Sequence, residues 1–122
     1  MAEFLDGHAG VKAVNYPGLS SHLDFELCKR QCSGPGSMLS FELSGGPERV
    51  SKFLASLSLI KLAPSLGGFC TLICVPATMT HRGMPERAQR EAGIGPGLLR
   101  LSIGLEDPQS LIDDVERALT ND

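Results

Sequence analysis

Residues 38–43, Met-Leu-Ser-Phe-Glu-Leu, carry Leu39, Phe41 and Leu43 at every second position. Residues 98–103, Leu-Leu-Arg-Leu-Ser-Ile, repeat the pattern with Leu99, Leu101 and Ile103. Successive side chains of a strand point to opposite faces, so each stretch predicts a strand with one apolar face and one open face. After a break, each is followed by a helical stripe. Gly45-Gly46-Pro47 precedes Val50, Phe53, Leu54 and Leu57, and Asp107-Pro108 precedes Leu111, Ile112, Val115 and Leu119. Proline is accepted in the first helical turn, where its missing N–H costs nothing. A sheet that must bury one face, followed by helices that must bury one stripe, predicts an α/β fold of two layers, a sheet covered by helices on one face.

The remaining elements follow the same punctuation. Residues 2–6 read as helix. Val11–Tyr16 reads as a strand stopped by Pro17-Gly18. Ser21 is placed to cap a helix running to about Cys32, with Asp24 favouring its positive end and Leu23, Leu27 and Cys28 on one face. Residues 59–62 and 71–75 predict two short strands around the turn Pro64-Ser65-Leu66-Gly67-Gly68. Pro85 opens a further helix, with Glu86 in its first turn, and Gly93 closes it. No repeat, low-complexity tract or linker interrupts the pattern, and 122 residues predict one domain, 1–122.

Composition narrows the function. Apolar residues make up 42%, enough for a core, and the 11 basic and 14 acidic side chains give a net charge of −3. A weakly acidic chain lacks the basic surface that displaces counterions from nucleic acid, and it lacks a polybasic membrane contact. Its apolar runs are too short to span a bilayer. Met1–Asp6 has neither a basic start nor a long apolar run, so no signal peptide is read there, and a cytoplasmic location is expected.

Cys28, Cys32, Cys70 and Cys74 form two C-x-x-x-C pairs. Four thiolates can close a zinc shell, but one pair falls in a helical pattern and the other in a strand pattern, so packing as small hydrophobes is expected and no metal. His8, His22 and His81 have no ligand spacing and read as surface or capping residues. Gly93-Ile94-Gly95-Pro96-Gly97 follows a helix and precedes a strand, the reverse of a phosphate-cradling turn.

Two places could carry chemistry. Arg100 projects from the face opposite Leu99 and Leu101. A guanidinium held on a strand is a fork for a carboxylate, or simply a solvated side chain on an open sheet. The double glycine of Ser65-Leu66-Gly67-Gly68 lets backbone amides approach a ligand, or merely makes a tight turn.

Five motifs occur in order: Tyr16-Pro17-Gly18-Leu19-x-Ser21-His22, Met38-Leu39-Ser40-Phe41-Glu42-Leu43, Ala63-x-Ser65-Leu66-Gly67-Gly68, Pro76-Ala77-Thr78-Met79-Thr80-His81 and Arg100-Leu101-Ser102-x-Gly104-Leu105-Glu106-Asp107. Together they resemble the C-terminal, small domain of the Cys/Met-metabolism family of pyridoxal-phosphate enzymes, of the cystathionine gamma-synthase, cystathionine gamma-lyase and methionine gamma-lyase type. The resemblance covers about residues 2–119. It implies a mostly antiparallel sheet with helices on one side, and a place in transsulfuration, as part of a lyase or transferase. It implies that Arg100 binds the α-carboxylate of a sulfur amino acid, with Ser65 and the Leu66 backbone at the same site and Thr80 in support.

The resemblance also says what to expect elsewhere. The family's imine-forming lysine stands in a Ser-x-Thr-Lys context within a larger domain, and none of Lys12, Lys29, Lys52 and Lys61 has that context. No catalysis and no pyridoxal phosphate binding are therefore expected of this chain alone. Its expected partners are a large pyridoxal-binding domain and a second copy of itself. Pro64, Cys70 and Val75 depart from residues frequent in the family and bear on substrate preference. The rival expectation is a free-standing binding or assembly module that kept the fold without catalysis.

Overall fold

In a computed structural model, residues 1–121 are described. The elements are α1 (Ala2–Asp6), β1 (Val11–Asn15), α2 (Phe25–Gln31), β2 (Met38–Leu43), α3 (Gly46–Ser56), β3 (Lys61–Leu62), β4 (Leu72–Cys74), α4 (Glu86–Glu91), β5 (Leu98–Ser102) and α5 (Pro108–Thr120). The five strands form one sheet in the order β1-β2-β5-β4-β3. Every neighbouring pair is antiparallel except β3 with β4. The mostly antiparallel sheet matches the expectation.

The alternating patterns do what their period demands. Leu39, Phe41 and Leu43 of β2 and Leu99 and Leu101 of β5 are buried in one core. They meet Leu5 of α1, Val50 and Phe53 of α3, and Leu111, Val115, Ala118 and Leu119 of α5. Phe41 and Phe53 meet edge to face, 6.0 Å between ring centroids, the arrangement the ring quadrupoles favour. Three helices therefore cover one face, while α2 and α4 contribute no buried residue.

Three expectations need correction, the first because the backbone closes into local turns and the other two because side-chain carboxylates occupy strand amides. The helix expected from Ser21 begins at Phe25. Tyr16–Phe25 instead forms successive tight turns, in which Leu19 N–H donates to Tyr16 O, His22 N–H to Leu19 O and Phe25 N–H to His22 O. Leu23 stands outside the helix and is 99% exposed, so the apolar face expected for Leu23, Leu27 and Cys28 is not a core face. The strand expected over 59–62 shortens to Lys61–Leu62. The carboxylate of buried Asp114 takes the N–H groups of Ser58, Leu59 and Ile60 at 2.9, 3.0 and 3.1 Å, so these residues are occupied by α5. The strand expected over 71–75 shortens to 72–74, because Thr71 N–H donates to Glu106 Oε1 at 2.7 Å.

Candidate functional site

The open face of the sheet is built by register. Arg100 pairs with Ser40 on one side and Cys74 on the other, and Ser40 pairs in turn with Asn15. Directly paired residues share a face, so Asn15, Ser40, Arg100 and Cys74 form a row across four strands, opposite the face that carries Phe41, Leu99 and Leu101. The helices of the core lie on that other side, which leaves Asn15, Ser40 and Arg100 open to a ligand, while Cys74 is covered.

The Pro64–Gly68 turn folds over one end of this row. Arg100 Nη2 donates to Ser65 O at 3.2 Å, and Gly67 N–H donates to the buried Ser102 Oγ at 2.9 Å. Gly67 adopts φ +74°, a left-handed conformation that suits glycine. Leu66 N–H has no hydrogen-bond partner and its side chain is exposed. Arg100 and the Ser65 carbonyl are thus brought together, and Leu66 follows in the same turn. A partly buried guanidinium steadied by one carbonyl keeps most of its donors.

Thr80 is placed differently. Its exposed hydroxyl pairs with His81 Nδ1 at 2.8 Å, and among the described residues it makes no hydrogen bond to Arg100. Of the three departures, Pro64 is exposed at the start of the turn, Cys70 is exposed after it, and Val75 is buried with its N–H directed to Met79 Sδ at 3.3 Å. Cys74, beside Arg100, is fully buried. Burial pushes its thiol pKa up, against the opposing pull of the Arg100 charge, so it stays a neutral neighbour.

On the other side of Arg100 a cleft of about 270 Å³ opens between Asn15, Pro17, His22, Met38, Leu39 and Ser40. Sequence reading placed Ser40 on the open face but had no signal for its pairing with Arg100, which only strand order supplies. It missed Asn15 for the same reason. His22 does not cap α2, whose N-cap is Asp24; its Nδ1 accepts from Asp24 N–H at 3.1 Å in the turn before the helix.

The lysines lie elsewhere. Lys12 pairs with Glu42, Lys29 with Glu26, and Lys61 donates to Ser58 O, while Lys52 is exposed on α3. None lines the cleft beside Arg100. The residues present do not fit a pyridoxal cofactor, which needs an amine at the reacting centre and a cradle for its phosphate. Among the described residues no helix is long and apolar enough to cross a membrane.

Comparison with known proteins gives this geometry a family. The family profile described as Cys/Met metabolism PLP-dependent enzyme matches residues 1–120. The chain is 48% identical to the cystathionine gamma-lyase of Mus musculus over 119 residues, covering 98% of this chain and 30% of that protein. It is 46% identical to the cystathionine gamma-lyase of Bacillus subtilis (strain 168) over 121 residues, covering 99% of this chain and 32% of that one. The structure of cystathionine gamma synthase from Xanthomonas oryzae pv. oryzae, in complex with aminoacrylate and cysteine, superposes with a TM-score of 0.94 at 49% identity, over 98% of this chain and 31% of that one. The chain thus spans about a third of the length of the relatives it matches. A profile match over nearly every residue, with close superposition on a solved relative, means that the chain belongs to the Cys/Met metabolism PLP-dependent enzyme family.

Proposed function

We propose that this chain is the part of a transsulfuration enzyme that holds the α-carboxylate of a sulfur amino acid, and that Arg100 is the residue that does so. The observation that carries the reading is the seating of Arg100: mid-strand on the open face, steadied by Ser65 O, with further guanidinium donors to spare. A guanidinium offers two parallel donors to the two oxygens of a carboxylate. The amine and phosphate cradle that pyridoxal chemistry requires come from another polypeptide segment, so this chain supplies recognition rather than turnover. Pro64 and Cys70, which flank the turn, and Val75 bear on which amino acid is preferred.

A second reading is a free-standing binding or assembly module. It is favoured by a core that closes within the described residues and leaves no buried side-chain polar atom unpaired. Both readings share carboxylate recognition; they part on turnover. Mixed with a family segment that carries the lysine, an enzyme part restores turnover and a module does not.

The test of Arg100 itself uses the chain alone. In a ¹⁵N NMR titration, L-methionine is expected to shift the Arg100 Nε–H and Leu66 N–H signals, and L-methionine methyl ester, whose carboxylate is capped, is expected to shift neither. Arg100→Ala should abolish the response while the spectrum stays folded, and Arg100→Lys should restore only part of it. Equal responses to acid and ester would overturn the assignment.

A further inference from the structure

The cleft beside Arg100 holds a second recognition group that is set by its own hydrogen bonds. His22 Nδ1 accepts from Asp24 N–H at 3.1 Å, so that nitrogen bears no proton and the proton of the neutral ring sits on Nε2. His22 Nε2 lies 2.7 Å from Asn15 Oδ1, and with the tautomer fixed it is the donor. This fixes the Asn15 amide as well. Its oxygen faces His22, because the reverse orientation would set N–H against N–H. Among the described residues the Asn15 Nδ2 amide therefore keeps two N–H donors with no partner of their own. Asn15 is in register with Ser40, and Ser40 with Arg100. Two successive antiparallel pairings put the Asn15 and Arg100 α-carbons about 10 Å apart across one shared cleft.

We infer that Asn15, positioned by His22, is a specificity-determining residue that reads the far end of a long-chain amino acid whose α-carboxylate sits on Arg100, and that it selects a second carboxylate there. The inference rests on the carboxylate role proposed for Arg100. What it adds is a length and a charge. A donor pair two strand spacings from the anchoring guanidinium suits a ligand with oxygens at both ends, and offers nothing to a methyl or an ammonium terminus. The only side chain in the row between the two ends is Ser40, a hydroxyl that can follow either a polar or an apolar chain.

Three probes of one length separate the possibilities: L-2-aminosuberate, ending in a carboxylate; L-2-aminooctanoate, ending in a methyl; and L-2,8-diaminooctanoate, ending in an ammonium. Their affinities for the full chain are read by NMR titration, following the Asn15 side-chain amide and the Arg100 Nε–H signal. Aminosuberate is expected to bind about tenfold tighter than aminooctanoate, the gain of one charge-assisted contact at a solvated site. Asn15→Ala should erase that advantage and leave aminooctanoate unchanged. Asn15→Asp, which keeps an acceptor for His22 and removes the donors, should reverse it in favour of diaminooctanoate. Because Asn15 is exposed on an edge strand, both variants keep the folded spectrum. Equal binding of aminosuberate and aminooctanoate, or an advantage that survives Asn15→Ala, overturns the role of Asn15; loss of both ligands in Arg100→Ala would then leave the Arg100 reading standing. Binding that persists undiminished in Arg100→Ala, or no response to any probe, overturns both.

Discussion

At the scale of single residues, the most consequential side chain outside the site is Asp114. It is buried on the inner face of α5, and its two oxygens serve three backbone N–H groups and the guanidinium of Arg117. Asp114→Ala leaves three partly buried donors without an acceptor. A loss of about 3 kcal/mol is expected, measured as a lowered urea midpoint at unchanged slope. Glu106 makes a similar lock, accepting from the N–H and hydroxyl of buried Thr71, each at 2.7 Å. Desolvation pushes its carboxyl pKa up, but these hydrogen bonds outweigh it and hold the value below the ordinary glutamate range. The folded state therefore binds this proton less readily than the unfolded chain. Its stabilisation is complete above the ordinary glutamate pKa, about 4.3, and drains away as the pH falls through the lower folded value. Thermal midpoints of the parent and Glu106→Gln should accordingly be well separated at pH 7 and draw together only as the pH falls below the ordinary glutamate value, about 4.3. Neither lock was legible in the sequence. An acidic residue inside a helical stripe, and another after a glycine, acquire their roles only when distant backbone is brought against them.

At the scale of elements, legibility tracked the strength of the hydrophobic period. Strands β2 and β5 and helices α3 and α5, with long regular patterns, stand within a residue or two of their expected bounds. Strands β3 and β4 are short because side-chain carboxylates occupy the amides beside them, which no local pattern announces. Arg100 was readable as an outward residue from period alone, whereas its neighbours Ser40 and Asn15 required the strand order. The helix α2 shows the limit of periodicity from the other side: its apolar residues are spaced for burial, yet none is buried. It is tied down mainly at its approaches, where Tyr16 Oη donates to Gly36 O at 2.7 Å and Gly18 lets the Tyr16 ring and Pro35 close in. A Cβ at residue 18 would come within 2.5 Å of the tyrosine ring. Helices held by so few buried contacts open locally, without global unfolding. Hydrogen exchange is expected to show α2 amides exchanging far faster than those of β2 and β5; equal protection would mean that the helix is packed in solution as it is not here.

At the scale of the whole molecule, Phe69 and Leu105 are 77% and 86% exposed and lie together, joined by the bond from Leu105 N–H to Phe69 O at 2.8 Å. Leu66 adds a third exposed apolar side chain from the turn that covers Ser102. Apolar groups gathered in this way drive association in water. Sedimentation is expected to show a dimer or larger species growing with concentration, and Phe69→Ser with Leu105→Ser should return the chain to a monomer; a monomer throughout in the parent would refute this. The strand order has a consequence in time as well as in space. β5, the centre of the sheet, is the last strand to be made, and both of its neighbours, β2 and β4, depend on it for their pairing to each other's side of the sheet. A ribosome that has released everything up to Gly97 has delivered a β1–β2 pair and a β3–β4 pair with nothing to join them. The core can condense only when residues 98–120 have joined the rest, and until then the apolar faces of both half-sheets stand open to chaperones.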